Sequence, residues 1–507
     1  MPEATANSLK AGRREWIGLA VIALPCLLYS MDLTVLHLAV PKLSAALKPS
    51  SAQLLWIIDI YGFFVAGSLI TAGTLGDRIG RRRLLLIGAA FFGAASILAA
   101  FSRSATMLIA SRATLGVAGA TVAPSTLSLI RNMFHDPHER TSAIAVWIGS
   151  FSLGGAIGPI IGGVMLEHFW WGSVFLISVP VMIMLLIAGP RLLPEYKDPN
   201  AGSIDLTSAA MSLIAVLAVI YGLKQVAQDG ISAIALLFVA AGLAIGWAFV
   251  QRQLRLDDPL IDLRLFGIPE FRASLVLYGG GILFLFGGFF LLPQYLQLVL
   301  GLSPLRGGMW MVPWGMGFVL GSVVTPPLAR RIRPSFLLSS GLAISAAGYV
   351  LLTRLGAVAH PLTLFAIATV LLSLGSSPMF TLTNDVIIGS APPERAGAAS
   401  GISETCAELG AALSIAIFGS IGVAIYRGTL SSELPTGLSR EATQAAMATL
   451  AGAVDVSRNL PEDVGRTLAD GARTAFVRGL VLCAAVSAVG ILALAVFAGS
   501  RFRRPKS

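Results

Sequence analysis

The sequence predicts an all-α, polytopic membrane protein with fourteen spans. Three observations carry that expectation. Of 507 residues, 55% are hydrophobic and only 12% are charged, against about 25% charged in a soluble domain. Mean hydropathy is +0.81. The basic residues gather in short connectors such as "DRIGRRR" and "ARRIRPS", which is how positive charge is placed at membrane ends. The net charge of +10 therefore reads as membrane topology and not as nucleic-acid binding. Cys26, Cys406 and Cys483 all lie in apolar segments, so no disulfide framework is implied.

A spanning helix needs about 20 mostly apolar residues. Segments of that kind fall at 16–41, 53–76, 83–101, 105–130, 141–164, 171–193 and 204–226, then at 231–251, 271–299, 306–328, 335–354, 361–388, 398–426 and 475–499. An even number places both termini on one side. The bias of Lys and Arg in the short connectors makes that side the cytoplasm. The polar N-terminal stretch leads directly into the first span without a cleavable signal pattern. Residues 252–270 form a cytoplasmic bridge at mid-chain, and 428–474 form the one long outer segment. Pro461, Glu462 and Asp463 suit the first turn of a helix, through fixed φ and the helix dipole, so this segment reads as a helical hairpin. "GTLGDRIGRRRLLLIG" after the second span has a faint echo in "TPPLARRIRPSFLLSSG" after the tenth. Two such halves, with a site between them near the midplane, are a common transporter plan.

Embedded charge locates the candidate chemistry. Asp32 lies in "MDLTVLHLAV" within the first span. A carboxylate at the bilayer centre costs roughly 2.5–3.5 kcal/mol on insertion scales. As a lone acid it would load and release a proton and attract a cation. Glu404 and Glu408 are four apart in the thirteenth span and share one helical face; paired acids of this kind can exchange protons for a cation. Asp59 sits between Trp56 and Tyr61, so the two rings could hold an organic cation beside it. In the tenth span, "GGMWMVPWGMGFVLGSVV" offers a soft aromatic and thioether surface, and helical spacing favours Trp314 and Phe318 as its cavity-facing members. Gly154, Gly158 and Gly162 form a small-residue stripe for close helix approach, and Pro159 permits a bend. Arg112 is the one basic residue inside the fourth span and needs an acidic or hydrated partner. Asp77, with Arg78, Arg81, Arg82 and Arg83, would latch the cytoplasmic face, Asp77 pairing with Arg131.

These residues resemble a known family. "GTLGDRIGRRR", from Gly73 through Gly80 to Arg83, resembles the loop signature of the major facilitator superfamily, and "GGAIGPIIGG" resembles its antiporter signature. "MDLTVLHLAVP" and "DDPLIDLRLF" resemble segments of the fourteen-span drug/proton antiporters. "LLWIIDIY", "ISETCAELG" and the long outer loop are similar to the QacA/SmvA-type quaternary-ammonium exporters. The resemblance implies a six-helix bundle over 1–195, two inserted helices and the connector over 196–265, and a second six-helix bundle over 266–507. It implies alternating access in a bacterial inner membrane, working as a monomer. It also implies proton-driven export of lipophilic organic cations, with the proton as coupling ion and no cofactor. Arg112 would assist proton transfer, and the glycine-rich fifth span would prevent leak. Members that handle divalent cations can carry an acid in the tenth span; none stands between Arg306 and Arg330, which argues against ready handling of long dications.

No enzyme or nucleotide signature is present. His135 and His138 share one connector without further ligands, and nothing resembles a P-loop. The competing expectations are an exporter of a neutral metabolite or peptide on the same fold, and a non-transporting receptor or scaffold. Costly embedded acids speak against the last.

Overall fold

The structure is a computed structural model of the 507-residue chain, and it describes residues 10–197, 205–229, 232–256, 259, 263–390, 396–435 and 438–501. Among the described residues there is helix and no strand. Each expected span corresponds to a helix or a broken run of helix. In the first half these are α1 (Arg13–Leu47), α2 (Ser51–Ile79), α3 (Arg81–Ala100), α4 (Ala105–Gly119) with α5 (Val122–Met133), α6 (Pro137–His168), and α7 (Ser173–Leu176) with α8 (Ser178–Leu192). Then come α9 (Leu206–Asp229) and α10 (Ala233–Gln253). The second half holds α11 (Pro269–Leu285) with the short α12 (Leu292–Gln294), α13 (Pro304–Ala329), α14 (Pro334–Leu352), α15 (Pro361–Gly389) and α16 (Ala396–Ser431). Two short helices follow, α17 (Arg440–Ala448) and α18 (Leu450–Ser457), before the long α19 (Glu462–Arg501).

Local chemistry sets many of the boundaries. Ser50 accepts the amide of Gln53 at 3.2 Å while the Gln53 side chain accepts from Ser50 N–H at 3.0 Å, a reciprocal cap that starts α2. Ser104, Ser232, Ser303 and Ser439 cap α4, α10, α13 and α17 in the same one-sided way. Gly80, at φ 114°, turns the chain between α2 and α3. A side chain there would be strained and would also strike Glu195.

Among the described residues, twelve helices are long and apolar enough to cross a membrane, or thirteen when the bent α6 is counted as one span. The seventh expected span, α9, falls short because its apolar stretch is Thr207–Val219; polar Lys224, Gln225, Gln228 and Asp229 follow. The expected span 271–299 is found as one run, Pro269–Val299, with a local change of helix type inside it. α11 ends at Leu285, Gly287 and Gly288 follow, a 3₁₀ turn occupies Phe289–Leu291, and Tyr295–Val299 is a π-turn.

The helices pack as two bundles. In the first, α1 lies along α6, α2 along α4, and α3 against α4 and α8; in the second, α13, α14 and α15 pack together, α14 packs on α19, and α11 on α15 and α16. Two seams join them, α6 with α13 and α2 with α16. The inserted pair α9–α10 rests on α2 and α16 through α9. Hydrogen bonds between the halves gather at the end that bears the α17–α18 hairpin. Gln297 Nε2 donates to Leu38 O at 3.0 Å, Arg427 Nη2 to Ser51 Oγ at 3.1 Å, and Ser51 Oγ to the Ala448 carbonyl.

Candidate functional site

The α1–α6 contact is the foundation of the site. A Cβ on Gly154 would strike the Leu27 carbonyl, one on Gly158 the Thr34 hydroxyl, and one on Gly162 would lie 2.7 Å from Val35. The stripe therefore presses α6 onto α1 at the level of Asp32. The next residue, Pro159, offers its carbonyl to close approach by Gly308 of α13, so α6 is held between the two halves.

Asp32 is not the lone carboxylate expected from sequence. Arg112 Nη1 donates to Asp32 Oδ2 at 2.6 Å. The Arg112 side chain is 1% exposed and that of Asp32 16%. The rest of the guanidinium is spent on α2: Nε donates to Ile57 O at 3.1 Å and Nη2 to Ile58 O at 3.4 Å, and the Tyr61 ring lies 4.7 Å from the guanidinium carbon. Gly116, one turn after Arg112, lets α4 approach the Tyr61 backbone closely enough for these contacts. A buried charge pair is tolerable when its remaining donors are satisfied, and here they are.

Trp56, Asp59 and Tyr61 do not form one cation box. Trp56 faces Tyr221 of α9 at 6.4 Å and Phe63 at 6.2 Å. Tyr61 faces Arg112 and, at 6.0 Å, Tyr29 of α1. The reason is helical geometry: five residues advance the helix by about 500°, which leaves the two rings about 140° apart. Asp59 is buried at 1% exposure in the first bundle.

A cavity of about 260 Å³ lies between the halves. α1 and α6 contribute Ser30, Phe151 and Gly155, and the second half contributes Phe286, Phe289, Trp314, Phe318, Ser376 and Phe380 among others. Trp314 and Phe318 thus stand where helical spacing placed them. They stack at 6.2 Å and 18°; Phe289 meets Trp314 at 4.7 Å, and Phe380 meets Phe318 edge-on at 5.3 Å. No charged residue lines the cavity among the described residues. The thioethers of Met309 and Met316 point away from it, at 50% and 59% exposure.

Rings connect the ion pair to the cavity. From Arg112 the series runs through Tyr61 and Tyr29 to Phe151 in the cavity wall, with Tyr29 and Phe151 5.7 Å apart. His37, five residues beyond Asp32, is 7% exposed and meets Phe289 edge-on at 6.0 Å. Sequence reasoning missed Tyr29, His37, Phe151, Phe286, Phe289 and Phe380. The available signal for two of them was "FLFGGFF": a glycine pair inside an apolar run marks a broken helix, and broken helices occur at membrane depth where they line a cavity.

The gate residues are placed only in part. Arg78 and Arg131 are exposed, and the Asp77 side chain lies outside the described residues, so the expected Asp77–Arg131 pair does too. The observed acidic partner of the basic cluster is Glu195, after α8. It accepts from the Arg82 amide at 3.1 Å and lies 3.5 Å and 3.8 Å from the Arg82 and Arg83 guanidinium groups. Arg81 is buried at 8% exposure, and its amide donates to Tyr196 O. Gly73 has ordinary room beside Pro124. Glu404 and Glu408 are a helical turn apart on α16, but their side chains lie outside the described residues.

Comparison with known proteins places this geometry in context. The family model described as Major Facilitator Superfamily matches residues 22–415. The chain is 43% identical over 504 residues to the multidrug efflux pump LfrA of Mycolicibacterium smegmatis, covering 99% of both chains. It is 34% identical over 496 residues to the methyl viologen resistance protein SmvA of Salmonella typhimurium, covering 97% of this chain and 99% of that one. The tetracenomycin C resistance and export protein of Streptomyces glaucescens is 31% identical over 514 residues, with 99% and 95% covered. Among solved structures, a bacterial homolog of the human lysosomal transporter Spinster, in an inward-facing and unoccupied conformation, aligns with a TM-score of 0.66. It is 17% identical, with 98% of this chain and 100% of that chain covered, which speaks to the fold alone.

Proposed function

The chain belongs to the major facilitator superfamily and is a membrane transporter rather than an enzyme, and from that premise we propose that it exports lipophilic organic cations in exchange for protons by alternating access across a bacterial inner membrane, with both termini cytoplasmic. The observation that carries the proposal is the cavity between the halves, walled by six aromatic rings. Aromatic faces attract a desolvated organic cation through the ring quadrupole, by up to about 2 kcal/mol per well-placed ring. Quaternary ammonium antiseptics and cationic dyes combine that charge with a large apolar surface.

In this reading the Asp32–Arg112 pair is the coupling element. Protonating Asp32 releases Arg112 to the α2 carbonyls and the Tyr61 ring. Because α6 is pressed onto α1 and also touches α13, a shift of α1 reaches the aromatic wall through direct backbone contact. Glu404 and Glu408 remain candidates for exchanging protons against the cation on α16, with Glu404 meeting it first. One pH unit supplies about 1.4 kcal/mol per proton, and membrane potential about 2.3 kcal/mol per charge per 100 mV. No cofactor is required, and a monomer suffices.

A second reading is favoured by one specific observation. The described cavity lining holds no carboxylate, which suits a neutral polycyclic aromatic as well as a cation. Purified protein in proteoliposomes, given an imposed pH gradient and a panel of quaternary ammonium compounds, cationic dyes and neutral polycyclic compounds, separates the two. Cation transport that vanishes when the gradient is collapsed, and that Asp32→Asn abolishes in a folded protein, is the expected result. Transport of the neutral compounds alone would favour the second reading, and undiminished transport without a gradient would end the coupling proposal.

A further inference from the structure

A second pocket lies far from the central cavity, at the end of the molecule where α1 begins. It has a volume of about 330 Å³ and is built from the start of α1, the α5–α6 connector and the end of α8. That volume falls in the range of small-molecule sites. Lys10, Arg14 and His135 line it, together with Asn132 and one acid, Glu15.

The local hydrogen bonds decide its polarity. Glu15 spends its carboxylate on the Gly12 amide at 2.8 Å, and nearby Glu139 spends its own on the Ala11 amide at 2.7 Å. These bonds fix the backbone before α1 and turn one oxygen of each acid toward it. Arg14 uses one Nη2 bond, at 2.6 Å, to hold the Arg191 carbonyl. An arginine has five N–H donors in a rigid fork, so most of that fork stays available to a ligand. Lys10 and His135 are exposed beside it. The pocket is a concavity lined by Lys10, Arg14 and His135, with one oxygen of its acid, Glu15, held by the Gly12 amide.

Its surroundings say what kind of anion fits. Directly after Arg14, Trp16 and Ile17 are 39% and 50% exposed at the first turn of a membrane-spanning helix. The Trp16 ring is steadied edge-on by Phe134 at 5.0 Å. Exposed tryptophan at this depth marks the headgroup level of a bilayer. A soluble anion has no use for an apolar rim, whereas a phospholipid needs a cationic seat for its phosphate and an apolar wall for its chains. Basic pockets between membrane helices hold anionic headgroups in this way.

We propose that this pocket binds the phosphodiester headgroup of an anionic phospholipid, seated by Lys10, Arg14 and His135 with its chains along Trp16 and Ile17. The site is independent of the transport reading, since none of these residues lines the central cavity or the ion-pair region.

The test uses the purified full chain in detergent, with native mass spectrometry reading bound lipid. Phosphatidylglycerol, phosphatidylcholine and inorganic phosphate are titrated separately and in competition. The expected result is retention of one phosphatidylglycerol in preference to phosphatidylcholine. Lys10→Gln/Arg14→Gln should weaken it on the order of 10-fold or more, at about 1 kcal/mol per basic residue. An unchanged elution profile and melting temperature without lipid confirm that the double variant is folded; Lys10→Gln alone, at an exposed position, serves if it is not. Equal retention of phosphatidylcholine, or undiminished phosphatidylglycerol on the folded variant, would overturn the proposal. Displacement of the lipid by millimolar inorganic phosphate would reassign the pocket to a soluble anion.

Discussion

Around the central cavity the two halves differ in kind. On the first side, α1 and α4 bury an ion pair, Asp32 with Arg112, and a histidine stands five residues further along α1. On the second side, the α11 break, α13 and α15 present Phe286, Phe289, Trp314, Phe318 and Phe380 without a charged side chain in the lining. The difference is one of rigidity as well as polarity. The guanidinium is fixed by a carboxylate and two backbone carbonyls on a third helix, so its charge can be disturbed only by changing a protonation state or moving a helix. The rings make contacts of low directionality and can accommodate solutes of differing shape. One wall is built around a fixed charge pair and the other around stacked rings.

The largest effect should come from breaking the charged wall. Arg112→Gln leaves the part-buried Asp32 without its cation; breaking a fully buried pair costs about 3–5 kcal/mol, and the 16% exposure of Asp32 sets that as the upper bound. The purified variant should melt well below the parent protein. The double variant Asp32→Asn/Arg112→Gln should recover most of that loss while showing no pH-driven transport. A single variant that melts like the parent would mean that the pair carries no structural weight.

The aromatic wall should respond more mildly and more selectively. Trp314→Leu keeps bulk but removes the ring face, so apparent affinity for an organic cation should fall roughly fivefold, for a loss of about 1 kcal/mol. A neutral analogue of matched size should lose less. Equal losses for both solutes would turn the comparison toward simple apolar contact and toward the neutral-substrate reading.

The smallest effect belongs to an ion pair outside both walls. Asp205, just before α9, is paired with Arg252 of α10 at 3.0 Å. Burial pushes its carboxyl up, but hydrogen bonds from Arg252 and Ser208 outweigh that and hold it down to about 2. A depressed acid stabilises the fold fully above its ordinary value and loses that contribution as pH falls through the lowered one. The pair should therefore contribute constantly from pH 8 to 5 and weaken only below about 4. With the Arg252 side chain 40% exposed, Asp205→Asn should cost at most about 1 kcal/mol and leave the pH profile of transport unchanged. A shifted transport profile would show that the inserted helices take part in coupling.

What could be read from sequence followed from cost and periodicity. Asp32 and Arg112 were legible as expensive residues, and the helical repeat was enough to put Trp314 and Phe318 in the cavity. The pairing of Asp32 with Arg112 was not legible, because no pattern links positions 80 residues apart on different helices. Trp56 and Tyr61 misled because neighbours in sequence were read as neighbours in space, although a helix turns them apart. The span expected at 271–299 is there as one run, Pro269–Val299, but its local irregularity at the glycine pair was not read from the sequence. Glu195 was missed because nothing local ties a residue after α8 to the start of α3.

The inserted helices have a consequence for how a solute dissolved in lipid meets this protein. α9 lies over the seam between α2 and α16, where Phe63 and Ala416 pack with Trp56, Val216 and Leu217. Among the described residues, no helix lies over the opposite seam, between α6 and α13, in this way, and Leu153, Val319 and Val323 along it are 51%, 43% and 68% exposed. The protein is thus lopsided in the plane of the bilayer, with one flank shuttered and the other bare. Among the described residues the bare flank is the one beside the aromatic wall, where Val319 is both exposed to the outside and part of the cavity lining.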